Sequence, residues 1–246
     1  MNPMRRDWSR RVLLGVLAAA PAAARAALAT PGEVFVVSTL YSRHKLVPAY
    51  GLPVLQQVIE AVKPDVLVLD VTPKELRTRK VWPGKVEYLD VIFPYLDATR
   101  IPALGSEPDE ALFNQLTGSV GQAYKAFGER NPAGAKALDE LKQATYRALA
   151  SGWSSAADVN SEKTDRLVAA LREIEEGLVG QEAAQVQAQW DQHHADRLRD
   201  AVRAHAGKRV LMLVGIESRY RVLRNLRSAD EIHPTDAEAW LRRAGL

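Results

Sequence analysis

Seven side chains able to donate a proton, accept one or coordinate an ion fall just beyond four apolar runs of this 246-residue chain. Tyr41 and His44 follow the first run, in Ser38-Thr39-Leu40-Tyr41-Ser42-Arg43-His44-Lys45. Asp70 follows the second and Glu107 the third, while Glu217, Ser218 and Tyr220 follow the last. An imidazole such as His44 can serve as general base or as a neutral nitrogen ligand. Asp70 and Glu107 supply the carboxylates that acid–base work or cation binding would need. Arg43, Lys45 and Arg219 place cations among them. Each residue also has a plainer reading. His44 between Arg43 and Lys45 reads as a solvated loop histidine before it reads as a base or ligand, and Asp70 is equally a cap for the turn beginning at Pro73. Glu217 suits the first turn of the helix after it.

For these groups to meet, the runs before them must be parallel strands, because an open parallel sheet binds ligands beyond the carboxyl ends of its strands. Val34-Phe35-Val36-Val37, Val66-Leu67-Val68-Leu69 and Val210-Leu211-Met212-Leu213-Val214 are continuously apolar, as expected of strands buried on both faces. Arg100-Ile101-Pro102-Ala103-Leu104 is a weaker strand, and its proline places it at an edge. Between the first two runs, Leu52, Leu55, Val58, Ile59 and Val62 recur at helical spacing over roughly Pro48 to Val62, giving a strand–helix–strand unit. Tyr88 to Leu96 leans towards helix.

From about Asp109 to Ala206 the pattern is nearly all helical, with breaks at 131–134, 151–160 and 177–180. Leu167, Leu171, Ile174 and Leu178 form one stripe; Val186, Trp190, His194, Leu198 and Val202 form another. On that second stripe His194 reads as a core histidine before it reads as a ligand, and His193 points roughly 100° away around the helix. Arg219, Arg221, Arg224 and Arg227 read as a solvated face. A short helix closes the chain near Ala237 to Arg243. The expected fold is α/β, a mainly parallel sheet flanked by helices, with a helical insertion of about 109–206 before the last strand.

The stretch from Ser38 through Tyr50-Gly51-Leu52, the stretch Val66 to Pro73, and Lys208-Arg209-Val210 through Gly215 to Tyr220 together resemble the TraB/ChaN-like superfamily, which includes erythromycin-esterase-like proteins. The resemblance implies one α/β domain over 27–246, with metal-dependent hydrolysis in members that keep two histidines, and haem or iron binding in others. This chain departs from the pattern at the chemistry itself. Tyr41 stands where the first histidine would be, Ser218 where the late strand would lead to histidine, and Asp70 where the second strand would carry glutamate. A serine cannot replace an imidazole as a nitrogen ligand, whereas tyrosine binds ferric iron as phenolate.

The first 26 residues have the parts of a removable export signal. Arg5, Arg6, Arg10 and Arg11 precede the short apolar segment Val12 to Ala20, and Ala24-Arg25-Ala26 offers a small-x-small cleavage site. Ser9-Arg10-Arg11-Val12-Leu13-Leu14 resembles the twin-arginine motif. Removing its five arginines and one aspartate from 33 basic and 30 acidic side chains leaves a net charge of −1. That argues against nucleic acid as a partner. No cysteine is present, which rules out disulfides, thiolate chemistry and a lipoprotein anchor. Phosphate-binding glycine loops, the Gly-x-Ser-x-Gly elbow and the His-Glu-x-x-His helix are also absent.

The sequence therefore predicts a periplasmic or secreted protein without a stable membrane anchor that binds a small ligand, with haem, iron or another divalent metal as candidate cofactors. Tyr41, His44, Ser218 and Tyr220 are the candidate cofactor-binding residues. A rearranged hydrolase site built from His44, Asp70 and Glu107 is the alternative. A third reading is a protein-interaction domain, with the Val186 to Val202 face as an exposed apolar surface.

Overall fold

A computed structural model describes residues 32–227 and 232–246. Four strands form one sheet: β1 (Val34–Thr39), β2 (Val66–Leu69), β3 (Ala103–Gly105) and β4 (Val210–Gly215). Their order is β1-β4-β2-β3 and every pairing is parallel. The last strand thus lies between the first two, with Val36 opposite Met212 and Val68 opposite the same Met212. The α/β expectation holds, and β3 lies at the edge, where Pro102 costs no ladder donor.

Alternation along the strands builds two cores. Phe35, Val37, Leu67, Leu69, Leu211 and Leu213 face one side. There they meet α1 (Leu52–Val62), the helical stretch from Tyr88 into α3 (Phe93–Thr99), α6 (Ala156–Val159) and α10 (Ala237–Arg243). Val34, Val36, Val66, Val68, Val210 and Met212 face the other side, against α8 (Gln181–Ala204) and α9 (Ile216–Arg227). Both faces are covered, which is why these strands are uniformly apolar. Between β2 and that stretch lies the short α2 (Pro73–Thr78), capped by Thr72 and Glu75, each bonding the other's backbone amide.

The insertion comprises α4 (Glu110–Arg130), α5 (Pro132–Gly152), α6, α7 (Glu162–Val179) and α8. Asn131 caps α5 and Gly180, at φ 122°, separates α7 from α8. Two expectations about its faces are corrected. His194 and Leu198 are buried against the sheet, so the Val186 to Val202 face is not an open docking surface. On the other stripe only Leu171 is buried, while Leu167, Ile174 and Leu178 remain exposed.

The arginine face of α9 is corrected in half, since Arg224 and Arg227 are exposed as expected. Arg219 and Arg221 are buried, because each finds partners on the insertion. Arg219 donates to the Val36 carbonyl (3.1 Å) and pairs with Asp165 (2.6 Å), and Arg221 pairs with Glu176 (2.6 Å). Among the described residues no helix is long and apolar enough to cross a membrane. The export segment 1–26 lies outside the described residues.

Candidate functional site

Because all four strands run the same way, the groups beyond their carboxyl ends do converge, and Asp70 is where they meet. Its Oδ2 accepts the Gly215 amide at the end of β4 (3.0 Å) and the Tyr41 hydroxyl from the turn after β1. Tyr41 reaches it from a left-handed backbone, φ 52°, a conformation costly for a bulky residue and therefore held by its surroundings. Gly215 leaves the room: a Cβ there would run into the Tyr41 ring. Gly105 is required for a similar reason, since its Cβ would meet the Val71 carbonyl at 2.6 Å.

Lys85 enters the same centre from the loop between α2 and Tyr88. Its Nζ donates to Glu107 Oε1 (2.7 Å) and to the Asp70 carbonyl, and lies 4.0 Å from Asp70 Oδ1. The rings of Tyr41 and Tyr88 flank it at 5.9 and 5.8 Å. Glu107 is set in place by its own amide, which donates to the Val71 carbonyl (3.1 Å) just past the β2–β3 pairing. Asp70, Lys85 and Glu107 are all buried.

His194 closes the centre from α8. The Trp190 indole N–H donates to His194 Nε2 (3.0 Å), which makes Nε2 the acceptor and puts the proton on Nδ1. Nδ1 then donates to Ser106 Oγ (2.8 Å), and Ser106 donates to the Leu69 carbonyl (3.0 Å). Asp70 Oδ1 stands 3.5 Å from Nε2. A serine, a histidine and an aspartate are thus in line. The Ser106 hydroxyl, however, is fully buried and its proton is committed to a carbonyl, so it is no nucleophile as arranged.

The environment drives the acids apart. Burial alone would raise Asp70, but the charge of Lys85 and the Tyr41 and Gly215 hydrogen bonds outweigh it and bring the carboxyl to about 2. Burial and the Asp70 charge push Glu107 up, to about 8, against the pull of Lys85. Of the two carboxyls, Asp70 is therefore the easier to ionise and Glu107 the harder. Burial and the Asp70 charge push Glu87 up to about 7, against the pull of its backbone, Thr39 and Lys85. Burial lowers His194 to about 4, so its ring is neutral, and pushes the Tyr41 phenol far up.

The remaining sequence candidates lie in other contacts. His44 is buried rather than solvated, and both ring nitrogens are engaged: Leu40 N–H donates to Nε2 (3.0 Å) and Nδ1 donates to the Tyr50 carbonyl (2.6 Å). Burial lowers it to about 4. His44 thus pins the turn after β1 and has no free lone pair. Ser218 bonds Asp191 of α8, and Tyr220 stacks with Arg221. Glu217 accepts the Tyr146 hydroxyl (2.8 Å) and lies 3.9 Å from both Arg43 and Arg172.

This arrangement does not suit haem iron or a divalent metal. Among the described residues no three histidine or acidic side chains are placed to hold one ion. Tyr41 keeps its proton on Asp70, His44 is saturated, and the place between Asp70 and Glu107 is taken by an ammonium.

Sequence reading missed Lys85, Glu87 and Ser106. Ser106 was in the right stretch but lacked a partner in sequence; Lys85 and Glu87 had no signal, lying in the Val81 to Glu87 stretch away from any strand. Compared with known proteins, the chain matches no family model, no curated protein and no solved structure.

Two measurements probe this centre. Lys85→Met leaves Asp70 without its cation and is expected to destabilise the fold by about 3–5 kcal/mol in urea unfolding at pH 8. Adding Glu107→Gln should recover part of the loss, and a single variant as stable as wild type would contradict the ion-pair account. Glu87 binds its proton more tightly folded than unfolded. Its contribution is therefore full below pH 4.5 and lost as pH rises through about 7. Glu87→Gln should remove about 3 kcal/mol of that pH dependence. An unchanged slope between pH 5 and pH 8 would show that Glu87 is ionised in the fold.

Proposed function

We propose that this chain is an exported protein of the TraB/ChaN-like kind that binds a small organic ligand, and that its strand-end centre no longer carries out hydrolysis. The observation behind this reading is Lys85. Its ammonium supplies, from within the chain, the positive charge that Asp70 and Glu107 would otherwise draw from a bound cation. Haem or iron would require Tyr41 and His44 to give up the bonds described above, so the ligand proposed is organic. Export rests on the signal-like features of residues 1–26.

One observation favours the hydrolase reading as second: an Asp70 carboxyl held low beside a Glu107 carboxyl pushed up is the kind of split that assigns base and acid. It would rest on these two residues and not on His44.

Protein purified from the periplasm should carry no stoichiometric metal by elemental analysis, show no haem absorbance band, and turn over nothing in a broad ester and peptide panel. Turnover that disappears in Asp70→Asn would establish the second reading instead. Replacing Arg10 and Arg11 with lysine should leave the protein in the cytoplasm; periplasmic accumulation of that variant at the wild-type level would exclude the twin-arginine route.

A further inference from the structure

A groove on the outside of the domain has the size and lining that the closed centre lacks. It holds about 500 Å³ between the turn after β1 and one face of α5. Small-molecule sites run from roughly 300 to 1,000 Å³. Its apolar wall is Leu46, Val47, Ala150 and Trp153. Leu46 is 75% exposed, the most exposed of the large apolar side chains described. Burying it against a ligand would be favourable, and no core contact accounts for its position.

Three of the four charged residues in the lining are cations. Lys142 and Arg147 of α5 both line it, and Arg43 comes from the facing turn. Arg43 is stacked 4.0 Å over the Tyr146 ring, which fixes its rotamer before any ligand arrives. Arg147 is exposed and makes no side-chain hydrogen bond or ion pair among the described residues. Behind the groove, Glu175 and Glu217 face Lys142 and Arg43 but are also shared with Arg172. With Asp139 at the rim, four cations stand against three carboxylates, and the cation left over is the one at the mouth.

We propose that this groove is the ligand site, and that its ligand is an amphipathic carboxylate: one anionic head for Arg147 and Arg43, and an apolar body for Leu46, Val47 and Trp153. A guanidinium presents paired donors that match a carboxylate. The neighbouring apolar wall selects against small inorganic anions, which gain nothing from it. The assignment rests on the ligand-binding reading above and adds a place and a chemical class to it.

The test uses the mature protein with decanoate, decanol and decyltrimethylammonium as probes, followed by calorimetry and by Trp fluorescence, since Trp153 lines the site. Decanoate should bind more tightly than decanol, and the ammonium should not bind. Affinity should fall with added salt. Arg147→Glu and Leu46→Ser, both exposed and so without effect on folding, should each weaken decanoate by about tenfold or more. Equal binding of decanoate and decanol, or an Arg147→Glu variant that binds as wild type, would overturn the assignment. Mass spectrometry of an organic extract of the purified protein separates the two levels. A bound small molecule of another class, with no decanoate binding, removes this groove assignment and leaves the ligand-binding reading standing. No extracted molecule and no probe binding removes both.

Discussion

A buried negative charge has to be neutralised by groups fixed around it, and Asp70 puts that demand at the point where three strands end. Its carboxylate is nearly without water, so each of its bonds is supplied by the chain: Gly215 from β4, Tyr41 from the turn after β1, Lys85 from the following loop. The left-handed Tyr41, the glycine at 215 and the inward lysine are separate oddities until Asp70 is considered; together they are the conditions for burying one charge. Breaking such a pair is far more costly than its net contribution to stability, so the centre fixes one arrangement of the strand ends more than it strengthens the fold.

The helical insertion is attached by the same means. Arg219 reaches from α9 to Asp165 of α7 and Arg221 to Glu176, while Arg172 of α7 reaches towards Glu217 of α9. Trp190 and His194 of α8 extend the bonding to Ser106 and Leu69 at the sheet. Charged pairs have strict geometry where apolar contacts do not, so the insertion is held in register over the strand ends. A consequence is that the site is shut: α8 covers what in an open parallel sheet would be the ligand crevice.

The sealed strand ends contrast with the open groove beside α5. The residues that seal the strand ends use their hydrogen bonds on one another, while Arg43, Lys142 and Tyr146 form a separate group with Glu175 and Glu217.

The elements were legible in the sequence. Continuous apolar runs marked β1, β2 and β4, Pro102 marked β3 as an edge, and helical spacing with Asn131 and Gly180 as breaks marked the insertion. These follow from local propensity and from burial on two faces, which act over a few residues at a time. Tyr41, Asp70 and Glu107 could be grouped as well, since parallel strands bring their carboxyl ends to one edge. What tertiary structure alone decided was the state of each group. His44 looks available in sequence and is saturated by Leu40 and Tyr50; Arg219 and Arg221 look solvated and are buried. Lys85 sits 15 residues from Asp70 and 22 from Glu107 with no periodicity to link them. Whether a polar side chain is free, paired or protonated depends on which distant atoms share its space, and that is set by packing of the whole chain rather than by its neighbours in sequence.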